Sequence, residues 1–328
     1  GTAAAPAHAN SAGIQPEITR LTGHRDRRPG RPTVLLVAHI VGDQLYGSER
    51  SLLDMLDGLT AMDANVIVAI PSARNKAYTE LLRARASAVA VLDYGWWRAD
   101  TPVDETAIAS FAQLIAEERI DIVHANTIML REPLIAARRM AIPSVVQARE
   151  LIRHDAKLLE MIGLDADEII ATLWANCDTL IANSRATAAC FDTDTRTSAV
   201  VYNTADMTAL QALTPPPATG PLRVGMVSSN VPKKGIADFA EIARRVAADA
   251  PDIEFLLIGP QHEHTEALEA QIAAGTLPKS LKIAGYRDTP AQAIDELDLV
   301  LSLSHFQESF GRTVLEAMAA GRPVIAYD

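Results

Sequence analysis

Glu308-Ser309-Phe310-Gly311-Arg312-Thr313-Val314-Leu315-Glu316-Ala317-Met318-Ala319-Ala320-Gly321-Arg322-Pro323-Val324-Ile325-Ala326 sets two carboxylates across a loop-to-helix junction. Phe310 and Gly311 stand where the helix opens. Backbone N–H groups there lack intrahelical acceptors and sit at the positive end of the helix dipole, so they favour anionic oxygen such as a phosphate. Glu308 precedes the helix and Glu316 lies about two turns into it, so both border one cleft and can accept hydrogen bonds from hydroxyl groups. Gly321 and Pro323 then stop the helix and hand the chain to an apolar strand.

The E-x7-E spacing, the small-residue helix, the Gly and Pro and the apolar strand, in that order, resemble the signature of retaining glycosyltransferases with the GT-B fold, glycosyltransferase family 4. A solvated surface helix would need neither Phe-Gly at its start nor Ala-Met-Ala-Ala-Gly at its end. The resemblance implies an α/β protein of two Rossmann-like domains whose parallel sheets face each other across a cleft. Other family landmarks lie upstream. Ser229-Asn230-Val231-Pro232-Lys233-Lys234-Gly235 is similar to G-R-L-x-x-x-K-G, with Lys234 matching the lysine that supports the donor diphosphate. Ser229 fills the slot of that motif's arginine, so one of two cationic clamps is absent unless Lys233 or Arg312 replaces it. Gly259-Pro260 ends the run Phe255-Leu256-Leu257-Ile258, as in the family's L-x-I-x-G. Gly285-Tyr286 ends the next strand, where a family loop carries the nucleotide base; Tyr286 either stacks on the base or caps the strand.

Gly42-Asp43-Gln44-Leu45-Tyr46-Gly47-Ser48-Glu49-Arg50 follows the first strong strand and enters a helix. Ser48 stands where a P-loop requires lysine, which excludes an ATPase of that type, and no G-x-G-x-x-G follows any strand, which disfavours an NAD-dependent oxidoreductase. Gly47-Ser48-Glu49-Arg50 is similar to the family's G-G-x-x-R, a loop that approaches donor phosphates and acceptor. His124 ends the strand Ile120-Asp121-Ile122-Val123, at the carboxyl edge where open α/β sheets bind ligands, and resembles the family's D-x-x-H, which faces the donor sugar. Arg149 and Glu150 take the equivalent place on the next strand, as candidate acceptor contacts or plain strand terminators. His262-Glu263-His264 lacks a third ligand nearby and reads as a helix start. Asp192-Thr193-Asp194 imitates a metal-binding D-x-D but follows a helix instead of a strand. Trp96-Trp97 lines an acceptor groove or fills a gap.

With 328 residues, 48% hydrophobic and 22% charged, the chain has the size and composition of two soluble α/β domains. A net charge of −11 argues against a general nucleic-acid binder. Cys177 and Cys190, the 2 cysteines, support neither a disulfide framework nor a four-thiolate zinc site, and a reducing cytoplasm is the default. No run reaches the roughly 18–20 apolar residues of a membrane span. Gly1 in place of Met, and an end at Asp328 straight after a strand-like run, give the expectation of a module cut from a longer polypeptide, its C-terminal domain incomplete.

Apolar runs alternate with helical spacing along the chain. They predict strands at 34–38, 64–70, 88–93, 120–125, 143–148, 178–183 and 198–202, and a second series at 222–228, 253–259, 280–285, 297–303 and 322–327. The expected division is a disordered lead or linker over 1–32, an N-terminal acceptor domain over 33–213, a Pro-rich linker over 214–221, and a C-terminal donor domain over 222–328.

The resemblance implies a metal-independent, cofactor-free, hexosyltransferase-type enzyme that moves a sugar from a nucleotide-diphosphate sugar to an acceptor hydroxyl with its anomeric configuration kept, as in polysaccharide or glycoconjugate synthesis. Glu308, Lys234 and His124 would be catalytic. Glu316, Phe310, Gly311, Ser229, Gly47, Tyr286 and Arg312 would bind the donor, and Arg50, Arg149 and Glu150 the acceptor. The implied partners are the nucleotide sugar and a saccharide or glycolipid acceptor, not nucleic acid, at a cytoplasmic location with peripheral membrane contact where the acceptor is a lipid. A GT-B nucleotide-sugar epimerase and a non-catalytic nucleotide-sugar-binding module stay open as alternatives.

Overall fold

A computed structural model describes residues 17–39, 42, 45, 47–214 and 220–327. Strands β1 (Thr19–Thr22), β2 (Thr33–Val37), β3 (Asn65–Ile70), β4 (Ala88–Val91), β5 (Ile122–Ala125), β6 (Ser144–Ala148), β7 (Thr179–Ala182) and β8 (Ala199–Val200) form one sheet in the order β1-β4-β3-β2-β5-β6-β7-β8. Strands β9 (Arg223–Val227), β10 (Glu254–Ile258), β11 (Leu281–Gly285), β12 (Leu299–Ser302) and β13 (Val324–Ala326) form a second, ordered β11-β10-β9-β12-β13. All described pairings are parallel except that of β1 with β4. From β2 and from β9 the strand order runs outward in both directions, and such a reversal opens a crevice at the carboxyl ends of the strands.

The strands read as unbroken apolar runs because helices cover both faces. Leu35 and Val37 of β2 join Phe111 and Leu114 on one face, while Leu36 between them joins Leu52, Leu56 and Leu82 on the other. The second sheet repeats the arrangement, with Phe255 and Leu257 packed beside Phe239, and Leu256 and Ile258 beside Leu297 and Ala317. Full burial of one such leucine, as at Leu36, stabilises the fold by about 1.5–3 kcal/mol.

Two expected boundaries move. The lead over 1–32 is ordered in its described part: Thr19 to Thr22 pair antiparallel with Val91 to Ala88. The basic cluster behind the strand is tied down, with Arg28 and Arg31 on Asp63 and Arg27 on Glu118. Those contacts join residues far apart in sequence, so no local period announced them. The N-terminal domain also ends before 213, because Leu210, on the helix Met207–Gln211, is buried with Leu256 and Ala317 of the second domain. Of the Pro-rich stretch over 214–221, residues 215–219 lie outside the described residues, as do 1–16 of the lead and 40, 41, 43, 44 and 46 of the loop before Gly47. No helix of the described residues is long and apolar enough to cross a membrane.

Candidate active site

A cleft of about 650 Å³ lies between the two sheets, a volume usual for a small-molecule site. Gly47, Arg50, Ser229, Lys234, Tyr286, Glu308, Gly311, Arg312 and Glu316 line it together. Each was singled out in the sequence.

Its C-terminal wall is built from two turns that abut. Gly235 has φ +83°, and a Cβ there would lie 2.0 Å from the Leu303 carbonyl oxygen, so only glycine lets the turn after Lys234 press against the end of β12. The His305 amide donates to the Lys233 carbonyl at 2.9 Å and locks the contact. Lys234 Nζ is thereby brought to 2.5 Å from Glu308 Oε1, which also accepts from Ser304 Oγ at 2.6 Å. Gly311, at φ +78°, opens the helix Arg312–Ala319 without a side-chain cap, which leaves first-turn amides for an anion.

Glu316 is buried one turn beyond Arg312, which donates to it from Nε at 2.9 Å. From Nη1 the same guanidinium crosses the cleft to Asp54 Oδ2 at 2.8 Å and Ser51 Oγ at 3.3 Å on the N-terminal helix Gly47–Ala61. Burial raises the pKa of Glu316 and of Asp54, and Arg312 between them opposes both shifts. Arg50 is the second bridge between the domains. Its Nη2 donates to Tyr286 Oη and to the Asp288 carbonyl, each at 3.2 Å, and Tyr286 Oη donates to the Leu45 carbonyl at 3.0 Å. Tyr286 therefore does more than cap its strand: its hydroxyl joins the two halves.

Ser229 sits on a fixed loop, where Asn230, fully buried at φ +55°, donates to the Pro260 carbonyl at 3.2 Å. His262 caps the helix Glu263–Ala273: its Nδ1 accepts from the His264 amide, and Nε2 lies 3.1 Å from the Ser229 carbonyl. Its part in positioning Ser229 was missed in the sequence, as were Asp54 and Ser51, which no local motif flags.

Four expected site residues do not line the cleft. Phe310 stands just outside, its ring 6.4 Å from that of Tyr202. His124, Arg149 and Glu150 lie deeper at the carboxyl ends of β5 and β6. His124 is 7% exposed, held between β2 and β6, and desolvation, followed by the charge of Arg149, lowers its pKa to about 4. Burial likewise brings Arg149 down to about 10 while its guanidinium reaches the Asn126 carbonyl at 2.6 Å. Glu150 accepts from the Thr127 hydroxyl at 3.1 Å. Around them Trp96 Nε1, His124 Nε2, Asn126 Nδ2, Gln147 Oε1 and Arg149 Nε are buried without hydrogen-bond partners. Trp97 fills core and donates to the Ile128 carbonyl at 3.0 Å, whereas Trp96 meets the His39 ring edge-on. Asp192 closes a loop onto Ser198, and no group of three His, Cys, Asp or Glu among the described residues is placed to hold a metal ion.

Residues 46–208 match the family model of Glycosyltransferase Family 4, and residues 221–328 that of Glycosyl transferases group 1. Among curated proteins the chain is similar to a poly(ribitol-phosphate) alpha-N-acetylglucosaminyltransferase of Staphylococcus aureus, 30% identical over 105 residues, covering 32% of this chain and 21% of that protein. It is also similar to a phosphatidyl-myo-inositol mannosyltransferase of Mycobacterium tuberculosis, 33% identical over 99 residues, covering 30% and 25%. The match thus spans about a quarter or less of these relatives' length. Among solved structures, Anabaena HepE in complex with UDP and glucose superposes with a TM-score of 0.69 at 21% identity, over 90% of this chain and 80% of that one. A point mutant of S. aureus TarM in complex with Fondaparinux, alpha-GlcNAc-glycerol and UDP gives 0.65 at 12% identity, over 90% and 86%. The fold is therefore GT-B, as the sequence implied.

Proposed function

Since the chain belongs to the group 1 glycosyltransferases of family 4, we propose that it moves a sugar from a nucleotide-diphosphate sugar to an acceptor hydroxyl with the anomeric configuration kept. The observation that carries this reading is the contact of Lys234 with Glu308 beside the open helix start at Gly311, three anion- and hydroxyl-binding features on one wall of one cleft.

In this reading the first-turn amides at Gly311 and the Lys234 ammonium take the diphosphate, Glu308 takes hydroxyls of the donor sugar, and buried Glu316, held by Arg312, takes the ribose. Charge builds on the departing diphosphate as its bond to the anomeric carbon breaks, and preorganised donors there lower the barrier by a few kcal/mol each, about 3 in measured cases. Lys234 serves this role as a point charge already in place. Glu308 is bound to it, so the reading gives the carboxylate no part as nucleophile. The acceptor oxygen attacks from the leaving-group side, and its proton passes to the departing phosphate oxygen. The orphan polar atoms around His124 and Arg149 support a ligand at the N-terminal sheet edge, with the acceptor entering there.

The departure at Ser229 favours a second reading, a module that binds the nucleotide sugar without turning it over. Titration calorimetry with UDP, GDP and ADP, followed by nucleotide release from the corresponding sugar donors, separates the two. Micromolar binding of one nucleotide, lost in Glu316→Ala, with slow donor turnover supports the enzyme. Binding without turnover supports the module, and no binding by any of the three overturns both.

A further inference from the structure

We propose that Arg50, contributed by the N-terminal domain, supplies the second cation for the donor diphosphate in place of the arginine absent at Ser229, an inference that rests on the donor-site reading above. Two replacements suggested themselves from the sequence, and the structure commits both elsewhere. Lys233 lies over the Phe306 ring, 5.0 Å from its centre, and is not on the cleft wall. Arg312 is shared between Asp54 and Glu316. Of the other cations lining the cleft, Lys234 is already the first phosphate cation of the reading above, and Arg287 is paired with Glu296.

Arg50 differs. It has no carboxylate oxygen within ion-pairing distance among the described residues, and its bonds go to neutral acceptors, the Tyr286 phenol and the Asp288 carbonyl, both from Nη2. Its Nε and Nη1 donors have no acceptor among the described residues. A guanidinium outside ion-pairing distance of any described carboxylate and with open donors, in a cleft that also presents Lys234 and an uncapped helix start, is suited to bidentate recognition of phosphate oxygens. Serine at 229 brings no cation to that loop. Among the described residues of the second domain that line the cleft, no further cation is left without a carboxylate partner, so the clamp closes from across the cleft.

The domains must then be together for the leaving group to receive both cations. A family pattern that places both on one domain has here been split between two, and activity requires the closed arrangement held by Arg50, Tyr286 and Arg312.

The test compares binding of a nucleoside diphosphate with that of the monophosphate of the same base, using whichever of UDP, GDP or ADP the unmodified chain binds. Arg50→Ala is expected to weaken the diphosphate by about 10-fold or more while changing the monophosphate less than 3-fold, in line with loss of a charge-assisted contact. Ser229→Arg in the Arg50→Ala background is expected to restore at least half of the lost discrimination, which a purely structural role for Arg50 would not allow. Arg50→Lys, keeping charge without the fork, should fall between. Equal loss of both nucleotides, unchanged discrimination in Arg50→Ala, or no rescue by Ser229→Arg would each overturn the proposal. Those outcomes leave wild-type binding intact, so they are distinct from failure of the donor-site reading, in which the unmodified chain binds no nucleotide.

Discussion

On the C-terminal wall of the cleft, Lys234, Ser304 and Glu308 satisfy one another directly, whereas at the N-terminal sheet edge Trp96, His124, Asn126, Gln147 and Arg149 each bury a polar atom with no partner. A buried donor or acceptor left unpaired costs about 1–3 kcal/mol. Four of these residues, His124, Asn126, Gln147 and Arg149, stand at or just past the carboxyl ends of β5 and β6, where open α/β sheets bind ligands. The paired wall is assembled from its own side chains, whereas the sheet edge presents donors and acceptors that its neighbours do not take up. In the proposed reading the difference follows from the two tasks, one side holding a charged leaving group and the other receiving the acceptor.

The largest effect that would break this contrast lies on the paired wall. Lys234→Ala removes the cation assigned to the departing phosphate in the proposed reading and leaves Glu308 with the Ser304 hydroxyl alone, so turnover is expected to fall about 10²–10³-fold with little change in melting temperature. Steady-state release of the nucleoside diphosphate checks it. A loss under 3-fold would show that the preassembled pair is not part of the chemistry.

Acid probes the unpaired side. His124 is held neutral, with a pKa of about 4 against 6.5 for an ordinary histidine, so between those values the unfolded chain binds the extra proton and stability rises with pH. Acidification through that window should cost the fold on the order of 3 kcal/mol. Denaturant titrations of wild type and His124→Gln at pH 7 and pH 4.5 read it directly. Equal slopes in both proteins would place the acid sensitivity elsewhere.

The smallest effect sharpens the boundary between the two sides. Asp54 is partly exposed and meets Arg312 from the other domain, so Asp54→Ala is expected to change global stability by about 1 kcal/mol or less. Small-angle scattering should show a larger radius of gyration than wild type with nucleotide present. An unchanged radius would mean that Arg50 and Tyr286 hold the domains together without help.

The legibility of these features follows their range along the chain. Glu308, Gly311 and Glu316 fall within one loop and helix, and Lys233 to Gly235 within one turn, so a spacing pattern could find them. The alternating strands and helices from Thr33 onward announced a doubly wound fold for the same reason. Asp54 and Tyr286 act through partners in the opposite domain, and nothing local marks which face of the Gly47–Ala61 helix turns towards the cleft. His124 was rightly placed at its strand's carboxyl end, but neighbouring strands bury its ring, which is decided by sheet order and not by the residues beside it. Strand β1 escaped notice because its four residues are mostly exposed and carry no apolar run.

That short strand has a consequence beyond the fold's outline. A sheet of parallel strands presents an open row of backbone donors and acceptors at each rim, where another molecule can dock edge to edge and begin an aggregate. Running antiparallel along β4, Thr19 to Thr22 cover one such rim with a polar, threonine- and arginine-bearing ribbon. The opposite rim is only the two residues of β8, too short to template a partner. Strand β1 therefore gives this rim a short polar edge far from the cleft, and removing Thr19–Thr22 is expected to show first as clumping.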